Sequence, residues 1–115
     1  MIRRTIPLDA QNALVLATAP LMMVVPYVLT FSPEVGLVSF FLGALLMAVA
    51  LAGSTRSLSV SAHEGFNWVL GLSTLAIGIV AGILGNVPVA AIFLVGFGSA
   101  HLALTALTRY SARGA

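Results

Sequence analysis

AQNALVLATAPLMMVVPYVLTFSPEVGLVSFFLGALLMAVALAGS, residues 10–54, holds one acidic residue, Glu34, and no basic one. About 20 apolar helical residues cross a bilayer core, so a stretch of this length can cross twice. Residues 31–34, Phe-Ser-Pro-Glu, interrupt it near its middle and supply an outer turn. Residues 65–108 repeat the plan with no Asp, Glu, Lys or Arg at all, and with Gly85-Asn86-Val87-Pro88 as the turn. Two out-and-back hairpins follow. The expected fold is an all-α membrane protein, a single domain over residues 1–115 with four transmembrane helices.

The basic residues lie outside both stretches. Arg3 and Arg4 precede the first, Arg56 sits between them, and Arg109 and Arg113 follow the second. Two hairpins return to one side each time, so every arginine falls on that side. Positively charged flanks mark the cytoplasmic face. Both termini and the central loop are therefore expected in the cytoplasm.

Composition agrees. Charged residues are 7% of the chain, against about 25% in soluble domains, too few to cover a water-facing surface. The pI near 10.0 comes from arginines that flank apolar spans, whereas a nucleic-acid binder clusters its bases on one face. No nucleic-acid partner is expected. Cysteine is absent, which excludes disulfides and thiolate metal sites. Met-Ile-Arg-Arg followed by an apolar run has the outline of a signal peptide, with Ala17-Thr18-Ala19 as a cleavage site. The apolar run continues to Phe31, too long for an h-region, so the first helix is expected to be retained.

The spans are expected at about residues 12–31, 35–51 and 66–84, with the fourth running from the second outer turn to about residue 107. Asp9 is placed to cap the first helix, and Ser61 with Glu64 fits a capping box for the third. Residues 54–63 read as a polar inner loop that includes His63. Trp68 and Tyr110 fall at inner helix ends, where amphipathic rings favour the interface.

Sliding the chain by 55 residues aligns its halves without a gap, residues 9–54 on 64–109. Asn12 falls on Asn67, Pro33 on Pro88, Gly43 on Gly98 and Ala48 on Ala103, while Asp9 meets Glu64 and Thr18 meets Ser73. The pattern predicts a duplicated hairpin. An even number of spans per copy keeps both copies the same way up, with a pseudo-twofold along the membrane normal.

Within the first span, Val25-Pro26-Tyr27 is followed by Val28-Leu29-Thr30-Phe31-Ser32 and a turn. A two-span repeat with such a motif resembles the SPW-repeat family of small bacterial membrane proteins, with Val25 in the serine position and Tyr27 in the tryptophan position. The second copy carries Val80-Ala81-Gly82 there and lacks the motif. The resemblance implies a compact integral protein of a bacterial inner membrane and no assigned chemistry.

Several residues invite a functional reading beside a structural one. Pro26 removes the partner of the Met22 carbonyl and, with Pro20, is expected to kink the first helix; the freed carbonyl is either a ligand site or is repaired by a neighbour. Gly78 with Gly82, Ser39 with Gly43, and Gly96 with Ala100 form small-residue faces, for a partner or for internal packing. Asn12 and Asn67, one turn inside the membrane at matched positions, are expected to hydrogen-bond to each other across the pseudo-axis. Glu34 is expected at the outer surface, touching water and headgroups. His101 is the ionisable side chain well within a span, and such groups are functional candidates by default. With Gly98 leaving room beside the ring, axial ligation of haem or a chlorophyll is one reading of it; a neutral histidine bonded to a neighbour is the other.

No nucleophile–base pair, phosphate loop or metal motif is legible, so neither an enzyme nor a cofactor is expected. The first span lacks the buried acid of four-span multidrug transporters, and no polar path typical of channels is visible. Of three readings, an accessory subunit packed against other membrane subunits, a haem or pigment carrier through His101, and an oligomeric transporter or channel, the sequence favours the first.

Overall fold

In a computed structural model, residues 4–85 and 88–110 are described; Arg3, Arg113, Asn86 and Val87 lie outside them. Four helices follow one another: α1 (Leu8–Val28), α2 (Pro33–Ser54), α3 (Val60–Ile83) and α4 (Pro88–Leu107). Each is long and apolar enough to cross a membrane. Ile83, Ile92 and Val28 are more than 70% exposed, and Tyr27, Phe41 and Phe66 stand outward as well. Such a surface is a liability in water and the natural exterior of a bundle in lipid.

The bundle is built from two hairpins. α1 packs along α2 and α3 along α4, α2 rests against α3, and α1 touches α4 only sparingly. An apolar core of Val15, Ala19, Met22, Leu42, Leu46 and Leu94 fills the middle. Glycine sets the helix spacing within each hairpin. A Cβ at Gly43 would lie 2.9 Å from the Ala19 carbonyl oxygen, and one at Gly98 would lie 2.7 Å from the Leu75 nitrogen. Equivalent residues of the two halves thus sit at equivalent crossings. The burial pattern keeps the same offset: Asn12 and Asn67, Val15 and Leu70, Gly43 and Gly98, Leu46 and His101, Ala50 and Thr105 are buried in pairs.

Helix ends depart from the expected ones. α3 begins at Val60, two turns earlier than its apolar run suggested, and its cap is Ser59, whose Oγ accepts from the Ala62 nitrogen at 3.2 Å. Ser61 and Glu64 do not form the cap. The inner loop shrinks to residues 55–59, and His63, expected near the surface, becomes a helical residue only 1% exposed. α1 begins after Pro7 with no side-chain cap; Asp9 lies in its first turn and pairs with Arg56 instead. α1 runs through both Pro20 and Pro26.

The first and last helices are tied at one end. Ile6–Pro7 (β1) and Thr108–Arg109 (β2) pair as two-residue parallel strands, and the Thr5 nitrogen donates to the Leu107 oxygen at 2.9 Å. The start of α1 and the end of α4 therefore lie on the same side of the bundle, together with the residue 55–59 loop. Arg4 meets Glu64 at 2.9 Å and Arg56 meets Asp9 at 3.2 Å on that side.

Candidate functional site

Beneath the paired ends lies a cluster of buried polar side chains. Gln11 and Asn12 come from the second turn of α1, His63 and Asn67 from one face of α3, and His101 and Thr105 from the last half of α4. All are at most 5% exposed. Spacings of four residues place His63 with Asn67, and His101 with Thr105, one above the other on their helices.

Tyr110 is the hub. Its hydroxyl oxygen accepts from Gln11 Nε2 at 2.6 Å and from Asn67 Nδ2 at 3.0 Å, and its ring meets the His63 ring edge-on at 5.7 Å. The residue expected to anchor the chain at the membrane interface is instead turned inward, closing the cluster from the C-terminal side. Burial pushes its hydroxyl above the ordinary value of 10.0, while the bonds from Asn67 and Gln11 act the other way. Trp68, by contrast, stays partly exposed and donates to Glu64 across one turn at 3.4 Å.

Asn67 passes the network on. Because its Nδ2 serves Tyr110, its Oδ1 faces His101 Nε2 at 3.2 Å. The expected Asn12–Asn67 bond does not form: both amide atoms of Asn12 are buried without a protein partner, as are Gln11 Oε1 and His63 Nε2. The amides have separate surroundings because Asn67 faces Tyr110 and His101, groups that no sequence offset places beside it. Buried unpaired groups are destabilising by roughly 1–3 kcal/mol each, or are met by water. They are concentrated at this end of the bundle.

The room expected beside His101 is not there. Gly98 is pressed on the α3 backbone, with the Leu75 nitrogen and the Gly71 oxygen within 3.2 Å of where its Cβ would be. Its small size brings two helices together and leaves no slot for a macrocycle. The ring does border a narrower opening, a cleft of about 270 Å³ between α1 and α4 lined by Leu14, Thr18, Leu21, Phe97, Ala100 and Leu104.

The remaining sequence candidates resolve into packing. Ser39 Oγ donates to the Met22 oxygen at 2.7 Å, so a neighbour repairs the break made by Pro26. Gly78 lies against Val95 and Leu94, and Gly82 against Ala91, within their own hairpin. Gly96 and Ala100 stay on the exterior. Arg109 and Glu34 are exposed. No group of three metal-ligating side chains occurs among the described residues.

Sequence reading identified Asn67 and His101 but missed Gln11, Tyr110 and the burial of His63. Gln11 had one available signal, an amide inside an apolar run. No family model, curated protein or solved structure matches the chain.

Proposed function

We propose that the chain is an accessory subunit of a larger assembly in a bacterial inner membrane. Its termini and central loop face the cytoplasm, and it contributes packing surface rather than catalysis. The observation that carries this reading is the outer face of α4. Gly96, Ser99 and Ala103 recur there at i, i+3 and i+7, all exposed, and a Cβ at Gly96 would meet nothing within 4 Å. Small residues on a lipid-facing stripe let a second helix approach closely. Gly43 of α2 and Gly78 of α3 are already used inside the hairpins, whereas this stripe faces outward, where a partner's transmembrane helix can reach it.

The polar cluster fits the same reading better than transport does. It is confined to one end, and the apolar layer of Val15, Ala19, Met22, Leu42, Leu46 and Leu94 lies between it and the other. Ion paths normally require polar groups along their length. The two hairpins are read as copies of one unit about a twofold along the membrane normal, which the burial matched at 55 residues supports. The resemblance to SPW-repeat proteins belongs to this reading too.

The test is a tagged chain extracted in mild detergent and sized, beside Gly96→Leu. The wild type is expected to elute with a defined set of larger subunits, and Gly96→Leu to elute without them at unchanged thermal stability. A wild type that elutes alone, or only with copies of itself, overturns the accessory reading.

A further inference from the structure

The cleft between α1 and α4 differs in polarity from its counterpart on the other side of the bundle. That counterpart, between α2 and α3, has a volume of about 430 Å³ and is lined by Leu45, Val49, Phe66, Val69 and other apolar side chains, none able to hydrogen-bond. The 55-residue offset takes Leu45 to Ala100, Val49 to Leu104 and Leu14 to Val69, so the two clefts are built from equivalent positions. It also takes Leu46 to His101. One cleft is wholly apolar; the other has a single imidazole at its edge, 95% buried and about 9 Å from the end of α4 at 1.5 Å per residue.

The orientation of that imidazole is fixed from behind. Asn67 Nδ2 donates to Tyr110, so the atom facing His101 is the acceptor Oδ1. A neutral ring must then carry its hydrogen on Nε2, and Nδ1 is left as an acceptor. The Cδ2–Nε2 edge lies against α3, where Cδ2 comes within 3.3 Å of a Cβ built on Gly71. The Nδ1–Cε1 edge is left turned away from α3, Nδ1 is not among the buried unpartnered atoms, and the residue borders the cleft. Thr18, the other polar residue of the lining, already donates to the Leu14 oxygen at 2.8 Å.

We propose that this cleft is a lateral binding site for a lipid-soluble molecule with an apolar body and one terminal hydroxyl, which donates a hydrogen bond to His101 Nδ1. The body lies along Leu14, Leu21, Phe97 and Leu104, which offer it no polar partner. A ligand whose only polar group is an acceptor, a ketone or an ether, finds nothing to bond. The hydroxyl can come from a ring phenol or from an aliphatic alcohol, and both present the same donor. This site adjoins the docking stripe on α4, with Ala100 one turn from Gly96, but its argument does not require a partner subunit.

The test uses the full chain in lipid nanodiscs with ¹⁵N-labelled imidazole, titrated at neutral pH with 4-hexylphenol, its methyl ether 4-hexylanisole, and 1-decanol. The expected result is a saturable shift of the His101 Nδ1 resonance with a hydroxyl-bearing probe. The methyl ether, nearly the same in shape, should bind about tenfold more weakly. The phenol and decanol arms tell a ring ligand from an aliphatic one. Ala100→Phe fills the cleft from its exposed side and should abolish the shift; should it not fold, Leu14→Trp fills the cleft from α1. Equal response to phenol and ether, no response to either hydroxyl probe, or an undiminished response in the folded cleft-filling variant overturns the proposal.

Discussion

Ser39 Oγ lies 2.7 Å from the backbone oxygen of Met22, the carbonyl that Pro26 leaves without an N–H partner. The serine is fully buried, so its hydroxyl has no solvent alternative. Removing it should leave the carbonyl orphaned at a cost of about 1–3 kcal/mol, against an average of ~0.6 kcal/mol for side-chain hydrogen bonds between membrane helices. The decisive measurement is a double-mutant cycle. Ser39→Ala should destabilise the wild type clearly and the Pro26→Ala background much less, because an alanine at 26 returns an N–H to Met22. Equal losses in both backgrounds would show that the serine acts elsewhere.

Gly98→Ala and Gly96→Ala are two residues apart on α4 and should behave oppositely. A Cβ at Gly98 would meet the Leu75 nitrogen at 2.7 Å, and one at Gly96 would meet nothing within 4 Å. Overpacking of the first kind costs about 1–3 kcal/mol, while the second exchange gains helix propensity. Thermal melts in detergent should therefore fall for Gly98→Ala and hold or rise for Gly96→Ala.

Thr30 follows α1 in the left-handed region, φ 53°, as Arg56 does after α2 at φ 60°. Both sit where glycine commonly ends a helix, and the Phe31 nitrogen closes the motif on the Pro26 oxygen at 2.9 Å. The repeat offset puts Gly85 opposite Thr30. A β-branched residue pays about 1–2 kcal/mol there. Thr30→Gly should raise the melting temperature, less than that figure suggests because glycine also gains entropy in the unfolded chain. A drop would refute the strain.

The two matched asparagines should separate under mutation. Asn67→Leu removes bonds to Tyr110 and His101 and should destabilise, whereas Asn12→Leu removes two unpaired buried amide atoms and should be neutral or stabilising. Equal losses at both positions would mean that Asn12 has a partner after all.

Tyr110 provides the pH dependence. Its folded value lies above its unfolded value of 10.0 because burial disfavours the phenolate. The folded state then holds the proton longer than the unfolded one, so this stabilisation is complete below pH 10 and is lost as pH rises through the folded value. The wild type should lose melting temperature on alkaline titration more steeply than Tyr110→Phe. At neutral pH the variant should already be weaker, having lost the acceptor of Gln11 and Asn67. Parallel slopes for the two proteins would contradict this account.

The four helices, their pairing into hairpins and the return of both ends to one side were legible in the sequence. Bilayer thickness converts the length of an apolar run directly into crossings, and the absence of charge between residues 10 and 33 or 65 and 108 marks where those runs fall. The carbonyl that Pro26 frees was also legible, since proline removes a specific N–H wherever it stands. The residue that answers it was not, because Ser39 is seventeen positions away and reaches Met22 only through the packing of α1 on α2.

The polar cluster shows the same division. Hydropathy records each amide or histidine as one interruption in an apolar run and cannot say whether two interruptions meet. His63 looked like a loop residue because the polar stretch before Phe66 hides the first turns of α3. Tyr110 looked like an interface anchor because it falls at the inner end of the fourth span. Tertiary packing brought these together with Gln11 and Asn67, left Asn12 unpaired, closed the space beside Gly98 and opened the cleft beside His101. Solvent preference acts on each residue separately and can be read along one dimension; hydrogen-bond partnership and free volume are properties of pairs, and those distances exist only once the helices have packed.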